Sequence, residues 1–379
     1  ASLNAGLLTL QAYEGGPTTI TTQKWTEVSK IKPTILSNLR PAKAMMGDKR
    51  AVEKDSTKSG HVWSAKPYNF VVGQSVLCIV SRGHSGYGIG RVWASLISGI
   101  ELSGGHTVIA SLEAGSSSTW SKSFPTATTA SPDSRVLWGT KVSLSRFRVA
   151  PIALKATWHV FHLPWLQRIA RRHSVTRIVF QEPLMLPAAG VLSRILKVPA
   201  FWFVPNAISS NKAFNYNKRI YRALLHILKV TTVSNSCFTD ASIGPGEFSR
   251  HVVPLGVDTS HFRPERHASS VRNEFSIPSD AILIGMFARM SPSKGQLRLV
   301  EAISAFDSNI HIMFCGSPTY GPYVDAIKRL AQDTGISERV HFAGFQDDLR
   351  PFYSATDITT NLLDYPEGFG LSIAESMAA

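Results

Sequence analysis

The 379-residue chain has few cysteines and no long apolar run. These two features argue against a disulfide-stabilised protein and against an integral membrane protein. Its three cysteines, Cys78, Cys237 and Cys315, are far apart and odd in number, which argues against a disulfide framework and favours reduced thiols in a cytoplasmic protein. The most apolar stretch, Leu184–Val204, is interrupted by cations and proline, so we expect no membrane-spanning helix. No cysteine or histidine spacing typical of a zinc site is present.

Acidic residues are also scarce relative to basic ones. The chain has 26 acidic and 40 basic side chains and a formal net charge of +14. Between Lys141 and Val230 there are fifteen Lys and Arg against one acid, Glu182. Such a region attracts anions. Its partner could be a membrane surface or an anionic or lipid-linked acceptor, and the alternative is that the region is an ordinary solvated basic face. Nucleic acid is disfavoured because aromatic stacking motifs are missing.

Residues 1–72 show no sustained hydrophobic period. They are rich in Thr, Ser, Lys and Pro, which predicts a poorly ordered N-terminal extension. The segment has no signal-peptide pattern of charged, apolar and cleavage regions. A mis-assigned start and a targeting segment are both compatible with this composition. The cysteines favour a cytoplasmic protein, with peripheral attachment to a membrane through residues 141–230 as an additional possibility.

An ordered domain is predicted from residue 73, where a strand precedes a glycine-rich loop. Ser75–Val80 is a short buried-strand run, the loop contains Gly86, Tyr87 and Gly88, and a helical segment follows from Arg91. Strand, glycine loop and helix open a nucleotide-binding α/β domain. The glycine spacing differs from the dinucleotide fingerprint, and no acidic residue follows at the expected place, which argues against a dehydrogenase.

The rest of the chain alternates strand-like and helix-like segments, which predicts parallel sheets with helices on both faces. We predict one such domain over residues 73–264 and a second over 265–379, with a loop insertion at Ser116–Arg148 and a linker at Pro264–Ser279. The predicted strands are Ser75–Val80, His106–Ala110, Thr176–Phe180, Ala200–Val204, Val230–Val233, one from His251, Ala281–Phe287, His311–Cys315, Val340–Phe342 and Asp357–Leu362. The predicted helices are Arg91–Ser98, Leu166–Arg172, Leu186–Leu196, Lys218–Leu228, Gly295–Ala305, Tyr323–Asp333, Asp348–Ser354 and one from Leu371.

Two glutamates flank a short glycine turn near the end of the chain. Glu367 and Glu375 are eight positions apart around Gly368–Gly370, and a helix is predicted to begin at Leu371. The N–H groups at a helix start can hold a phosphate, and a carboxylate one turn into the helix can accept hydrogen bonds from sugar hydroxyls. The alternative is an ordinary strand, turn and helix with surface carboxylates.

A second candidate site follows the first strand of the second domain. Arg289 and Lys294 lie in the segment 288–295 after that strand. We call the segment from Glu367 to Glu375 the glutamate turn. Because loops at the carboxyl ends of parallel strands share one crevice, we expect this loop and the glutamate turn to line the same cleft. Arginine offers a bidentate fork and lysine a point charge, so with a helix N-terminus they suit a diphosphate. If the loop or the glutamate turn occurred alone, an ordinary surface Arg and Lys would be the preferred interpretation.

These segments, in this order, resemble the GT-B glycosyltransferases, in particular the large family-four group of retaining enzymes that use nucleotide sugars. The matching segments of the second domain are Arg289–Gly295, Phe314–Gly316, Phe342–Gly344 and Glu367–Glu375. Val230–Ser234 and the interdomain segment Val253–Pro264 are also similar. The resemblance runs from about residue 75 to residue 379 and implies two Rossmann-like domains that face each other across a cleft.

The resemblance also implies a role for each matching residue. Arg289 and Lys294 would bind the donor diphosphate, Glu375 the ribose, and Glu367 the transferred sugar, and Arg289, Lys294 and Glu367 would form the catalytic group. The remaining donor-binding residues implied are Gly368, Phe369, Gly370 and Leu371. The loop of Gly86, Tyr87 and Gly88 would face the same cleft. The resemblance implies transfer with retention and without a cofactor, and because no Asp-x-Asp pair is present we predict that no metal is needed.

Several positions depart from the family pattern. Ala288 replaces the usual glycine before the loop arginine, and Leu255 replaces the usual asparagine before the interdomain glycine. A first-domain strand that often ends in a functional histidine ends here near Pro205 and Asn206. The chemistry at the acceptor is therefore the part of the function that the sequence defines least.

The missing histidine leaves two functional hypotheses. His84 and His162 are candidates to replace it, although a lone histidine is more often structural. The leading hypothesis is a retaining, metal-independent glycosyltransferase, and the alternative is a catalytically inactive nucleotide-sugar-binding protein of the same fold. No lysine motif suggests pyridoxal phosphate, which disfavours a phosphorylase. Because the chain stops inside a predicted helix, we expect the second domain to be truncated.

Overall fold

The structure is a computed structural model that describes most of the two predicted domains. The described residues are 11–12, 74–80, 89–112, 120–122, 124–131, 160–208, 216–263, 268–306 and 309–379. Apart from a two-residue strand β1, Gln11–Ala12, the predicted extension over residues 1–72 lies outside them. The glycine loop and His84, within 81–88, also lie outside the described residues.

The described chain forms two compact units. The first unit contains Asn69–Leu255, described from residue 74, together with Glu367–Phe369. The second unit contains Gly256–Pro366 and Gly370–Ala379 together with β1. The division falls close to the boundary predicted at residue 264, and the domain limits 73–264 and 265–379 stay a prediction.

In the described part of the chain, the first unit is built on a seven-stranded parallel sheet. Its strands are β2 (Ser75–Val80), β3 (His106–Ser111), β4 (Thr128–Ala130), β5 (Arg177–Phe180), β6 (Ala200–Val204), β7 (Thr231–Ser234) and β8 (Arg250–Val252). They lie in the order β4-β3-β2-β5-β6-β7-β8, and each neighbouring pair is parallel. All six residues of β2 are buried, as expected for a central strand that is covered on both faces.

Helices cover both faces of this sheet. Those described are α1 (Ile89–Leu102), α2 (Leu163–Arg172), α3 (Leu186–Leu196), α4 (Tyr216–Leu228) and α5 (Cys237–Ile243). Leu77 and Ile79 of β2 share a core cluster with residues of α2, α3 and α4, whereas Val76 and Cys78 share another with residues of α1. Since side chains alternate along a strand, α1 lies on the face opposite to α2, α3 and α4.

The second unit has a smaller sheet. Its described parallel strands are β9 (Ile282–Phe287), β10 (Ile310–Cys315), β11 (Val340–Gly344) and β12 (Ile358–Thr359). Their order is β12-β9-β10-β11, and β1 pairs with β12 in antiparallel register. The described helices are α6 (Ala268–Glu274), α7 (Gln296–Ser304), α8 (Pro322–Asp333), α9 (Arg350–Ala355) and α10 (Leu371–Ala378). Core clusters on both sides of the sheet bury β9 and β10 completely.

The structure corrects four segments of the sequence prediction. The linker predicted at Pro264–Ser279 contains α6, whose Val271 packs into the core. The insertion predicted at Ser116–Arg148 contributes β4, and the strand predicted at Asp357–Leu362 is reduced to β12. The helix α5 was not predicted. These elements have two to seven residues, so a hydrophobic period has too few repeats to be read.

Two histidines stack on neighbouring strands of the second unit. Nδ1 of His311 in β10 lies 2.9 Å from Nε2 of His341 in β11, and the rings are within 5° of parallel. Burial, followed by the nearby His341 and Arg339, lowers the pKa of His311 from 6.5 to about 4. Burial also lowers the pKa of His341. Both rings therefore stay neutral in the folded protein near pH 7, where one ring N–H can donate to the other ring.

The second unit is expected to lose stability as the pH falls from 6.5 towards 4. Because the folded pKa of His311 is below its unfolded value, protonation favours the unfolded chain, so this contribution is full above pH 6.5 and is lost on acidification. After solvent screening is taken into account, the shift corresponds to roughly 1 to 2 kcal/mol of unfolding free energy. Denaturant unfolding over this pH range measures it.

The variant His311→Gln is expected to flatten that pH dependence. His251→Gln is the matched control, because His251 is an exposed histidine of the first unit and its replacement should leave the slope unchanged. Equal slopes for wild type and His311→Gln would show that this histidine does not cause the acid sensitivity.

Candidate functional site

The loop over residues 288–295 follows β9 and is fixed to the end of β10. The backbone N–H of Ala288 donates to the carbonyl of Cys315 at 3.0 Å. The backbone N–H of Met290 donates to the carbonyl of Ser317, also at 3.0 Å. The strand ends thus hold the first half of the loop by its main chain, independently of its side chains.

Gly316 permits this close approach of the two strand ends. A Cβ atom added at Gly316 would overlap the carbonyl oxygen of Ala288. Any side chain here would therefore displace the loop. This contact gives a physical reason for the glycine in the predicted motif Phe314–Gly316.

Replacing Gly316 with alanine is expected to lower the unfolding free energy by roughly 2 kcal/mol, because the added methyl group must push the loop away from β10. Gly256→Ala is the matched control, since a Cβ there meets no atom within 4 Å. Thermal unfolding of the two variants measures the difference. Equal stability of Gly316→Ala and the control would contradict the contact.

The second half of the loop is held against the segment that leads into the glutamate turn. The backbone N–H of Asp364 donates to the carbonyl of Ser293 at 3.1 Å, and Nη2 of Arg298 lies 2.7 Å from a carboxylate oxygen of Asp364. Nζ of Lys294 lies 5.5 Å from the centroid of the Tyr365 ring. Within the second unit, the structure therefore brings Lys294 beside the chain that enters the turn.

The two loop cations lie at the surface of the second unit. Arg289 is exposed and Lys294 is partly buried. Lys294 ends a short turn, Pro292–Lys294, and Gly295 then adopts a φ of +83° from which α7 begins. Both cations follow the carboxyl end of β9, the end at which open α/β sheets bind their ligands. The guanidinium of Arg289 is thus exposed at this end of the sheet, with the partly buried Lys294 in the same loop.

The second glutamate of the turn has a protein partner. Glu375 lies in α10, which begins after Gly370 with a φ of +84°, and it is only 4% exposed. The hydroxyl of Tyr353 donates to Oε2 of Glu375 at 2.9 Å. The hydroxyls of Thr359 and Ser376 lie 2.6 Å apart and tie α10 to β12. The predicted place of Glu375 one turn into a helix is confirmed, and its binding of ribose stays a prediction.

The segment Glu367–Phe369 belongs to the first unit, where it lies near the ends of β6 and β7. A Cβ added at Gly368 would overlap the carbonyl oxygen of Pro205 and lie 3.1 Å from Nδ2 of Asn235. Asn235 is buried, and its Nδ2 donates to the carbonyl of Pro205 at 2.7 Å. Gly368 therefore lies beside Pro205, the position near which the family pattern has a histidine.

Sequence reasoning did not identify Asn235 as part of this region. The residue directly follows β7, and the rule that loops at the carboxyl ends of parallel strands meet is the signal that could have found it. His162 is buried directly before α2, and a catalytic role for it stays a prediction. The loop Gly86–Gly88 lies outside the described residues, so its place is a prediction as well.

The available chemistry comes from cations, carboxylates and a helix start. Within the described ranges, no group of three His, Cys, Asp or Glu side chains is arranged to hold a metal ion. The described helices also include none with the length and hydropathy needed to cross a membrane. The described candidate residues thus offer two cations, two carboxylates and the N-terminus of α10.

Part of the second unit matches a known family model. Residues 269–379 match the model described as Glycosyl transferases group 1. A D-inositol 3-phosphate glycosyltransferase of Corynebacterium glutamicum is 29% identical over 139 residues, which cover 34% of this chain and 33% of the relative. A lipopolysaccharide core biosynthesis glycosyltransferase, LpsE of Rhizobium meliloti, is 35% identical over 107 residues, covering 28% and 30%. The match therefore spans about a third of the length of these curated relatives.

Solved structures resemble a larger part of the chain. Anabaena HepE in complex with UDP superposes with a TM-score of 0.64 at 18% identity, over 80% of this chain and 78% of that protein. A glycosyltransferase of Rickettsia africae superposes with a TM-score of 0.63 at 18% identity, over 81% and 77%. These similarities confirm the predicted α/β fold of the GT-B type, with parallel sheets in two Rossmann-like units.

Proposed function

We propose that this chain is a glycosyltransferase that moves a sugar from a nucleotide-diphosphate sugar to an acceptor hydroxyl. The observation that carries the proposal is the loop over residues 288–295, in which Arg289 and Lys294 follow the carboxyl end of β9. The carbonyl of Ser293 in this loop accepts a hydrogen bond from the N–H of Asp364, in the segment before the glutamate turn. The match of residues 269–379 to glycosyl transferases group 1 supports it. So do the UDP and UDP-glucose complexes of the similar Anabaena HepE.

The loop cations suit a diphosphate leaving group. When the bond between the sugar and the diphosphate breaks, negative charge grows on the departing phosphate oxygens. A cation that contacts those oxygens stabilises the transition state more than the bound donor, which raises the rate. The exposed guanidinium of Arg289 can pair with two oxygens, and Lys294 adds a point charge from its partly buried position.

The glutamates and the turn complete the proposed donor site. Glu367 and the amides of Gly368–Leu371 would contact the sugar, and Glu375 would accept a hydrogen bond from the ribose. Oε2 of Glu375 accepts from Tyr353, so the carboxylate is held in a fixed orientation before any donor binds. A buried, oriented acceptor favours a ligand that donates hydrogen bonds.

We propose that transfer proceeds with retention and without a metal or other cofactor. The acceptor oxygen would attack the face of the sugar that the diphosphate leaves, and the acceptor proton would pass to the departing phosphate. The charge-neutralising task that a divalent cation performs in other enzymes would fall to Arg289 and Lys294. We place the reaction in the cytoplasm. The acceptor would be a hydroxyl group of an anionic or lipid-linked molecule.

A donor panel tests this function. Nucleotide release is measured with UDP-, GDP- and ADP-sugars in the presence and absence of phosphorylated and lipid-linked acceptors, with and without a chelator. We expect one nucleotide to support release that depends on acceptor and survives chelation, and NMR of the product should show the donor's anomeric configuration. Tight donor binding without turnover would favour the non-catalytic alternative suggested by Pro205 in place of histidine.

A further inference from the structure

One edge of the first unit's sheet combines exposed cations with exposed aliphatic side chains. Because the helices α2, α3 and α4 each lead into a parallel strand, all three end where β5, β6 and β7 begin. At or beside these helix ends lie six exposed residues that we call the basic edge: Arg172, Arg194, Ile195, Lys197, Ile227 and Lys229.

The three helices end with the same backbone geometry. Ser174, Lys197 and Lys229 follow the helices with φ values of 47°, 56° and 52°. In each case the N–H of the next residue, a valine, donates to a carbonyl five residues earlier, at distances of 2.9 to 3.2 Å. Glycine would adopt this left-handed conformation with less strain, yet two of the three positions carry lysine. The basic edge therefore presents its lysines from hydrogen-bonded, fixed positions.

Two isoleucines are exposed among these cations. Ile195 is 43% exposed and Ile227 is 64% exposed, whereas Leu192 and Leu225, on the same helices, are fully buried. Ile195 and Ile227 therefore lie exposed at the ends of helices whose Leu192 and Leu225 pack into the core. Both exposed isoleucines thus lie at the edge of the sheet that carries the cations.

The charge of this edge is predominantly positive. Its four cations, Arg172, Arg194, Lys197 and Lys229, face solvent. Glu247 is an acid close to this edge, since its backbone carbonyl lies 2.9 Å from Nδ1 of His226. A surface with four exposed cations attracts an anionic partner.

We propose that the basic edge binds the surface of a bilayer that contains anionic lipids. The cations would pair with headgroup phosphates while Ile195 and Ile227 enter the boundary between headgroups and acyl chains. A nucleic acid would satisfy the cations but would offer no apolar environment to the isoleucines. The proposal narrows the membrane attachment predicted for residues 141–230 to one described surface, and it does not depend on the proposed function.

Vesicle flotation of the full chain tests the proposal. We expect binding at low salt to vesicles of mixed phosphatidylcholine and phosphatidylglycerol and not to pure phosphatidylcholine. The variant Arg194→Gln/Lys197→Gln/Lys229→Gln should lower the partition coefficient about a hundredfold, since each basic residue near an anionic bilayer contributes roughly a factor of five. The variant Ile195→Ser/Ile227→Ser, which keeps every charge, should lower it about tenfold.

A matched control distinguishes an effect of the basic edge on vesicle binding from an effect of the chain's net charge. Arg263→Gln/Lys328→Gln/Arg329→Gln removes three exposed cations of the second unit and should retain binding. Circular dichroism confirms that each variant is folded. Equal losses in the two triple variants, or equal binding to neutral and anionic vesicles, would overturn the proposal. Binding of wild type to duplex DNA but not to vesicles, lost in the basic-edge variant, would assign this surface to nucleic acid instead.

Discussion

Replacing Arg289 with alanine is expected to lower kcat/KM for the nucleotide sugar by about 10²- to 10³-fold while leaving the unfolding free energy nearly unchanged. The activity effect follows from losing a charge-assisted contact with the leaving diphosphate, which corresponds to roughly 3 to 4 kcal/mol of transition-state stabilisation. The stability effect is small because the Arg289 side chain is exposed, and surface replacements usually change stability by less than about 0.5 kcal/mol. Steady-state kinetics and thermal unfolding measure the two quantities.

Two further variants sharpen this prediction. Arg289→Lys keeps the charge and loses the bidentate fork, so its activity should fall between those of wild type and Arg289→Ala. Arg329→Ala, an exposed arginine of α8 in the same unit, should retain wild-type activity. Full activity in Arg289→Ala would show that the loop is not the diphosphate site. So would a loss of activity in Arg329→Ala as large as the loss in Arg289→Ala.

Replacing Glu375 with alanine is expected to weaken both the donor complex and the fold. The hydroxyl of Tyr353 would lose its acceptor in a buried place, which costs about 2 kcal/mol of unfolding free energy. If the same carboxylate also binds ribose, donor affinity should fall at least about tenfold in addition. Calorimetric titration with the donor nucleotide and denaturant unfolding measure these effects separately.

Tyr353→Phe is the control that separates the two roles of Glu375. It removes the hydroxyl that donates to the carboxylate but leaves the carboxylate itself in α10. We expect donor affinity within about threefold of wild type and a modest loss of stability. An equal loss of affinity in Tyr353→Phe and Glu375→Ala would mean that Glu375 acts only by anchoring α10.

The sequence predicts the central parts of both sheets because these strands are continuously apolar and bounded by clear breaks. β2, α3 and β6 have the predicted bounds, and α10 begins at the predicted residue, Leu371. Prediction is poorer where tertiary packing decides the structure. The sequence predicts a linker in place of α6 because the seven residues of this helix are mostly polar. The burial of Val271 against the second unit's core depends on the fold.

In the candidate site too, some contacts can be predicted from the sequence and others depend on tertiary packing. The proximity of Lys294 to the segment before the glutamate turn is predictable, because β9 and β12 are neighbours and their carboxyl ends share an edge. The contact of Glu375 with Tyr353 is not predictable, since the rotation of α10 about its axis is set by packing against α9 and β12. The position of Asn235 beside Pro205 likewise depends on two loops that are distant in sequence.

The central claim is that the second unit holds a nucleoside diphosphate through Arg289 and Lys294. Calorimetric titration of the chain with UDP, GDP and ADP, alongside the double variant Arg289→Ala/Lys294→Ala, tests it most directly. We predict that at least one of the three nucleotides binds the wild type and that its Kd rises about a hundredfold in the double variant, because two charge-assisted contacts are lost. An unchanged Kd in the double variant, or no binding of any of the three by the wild type, would contradict the claim.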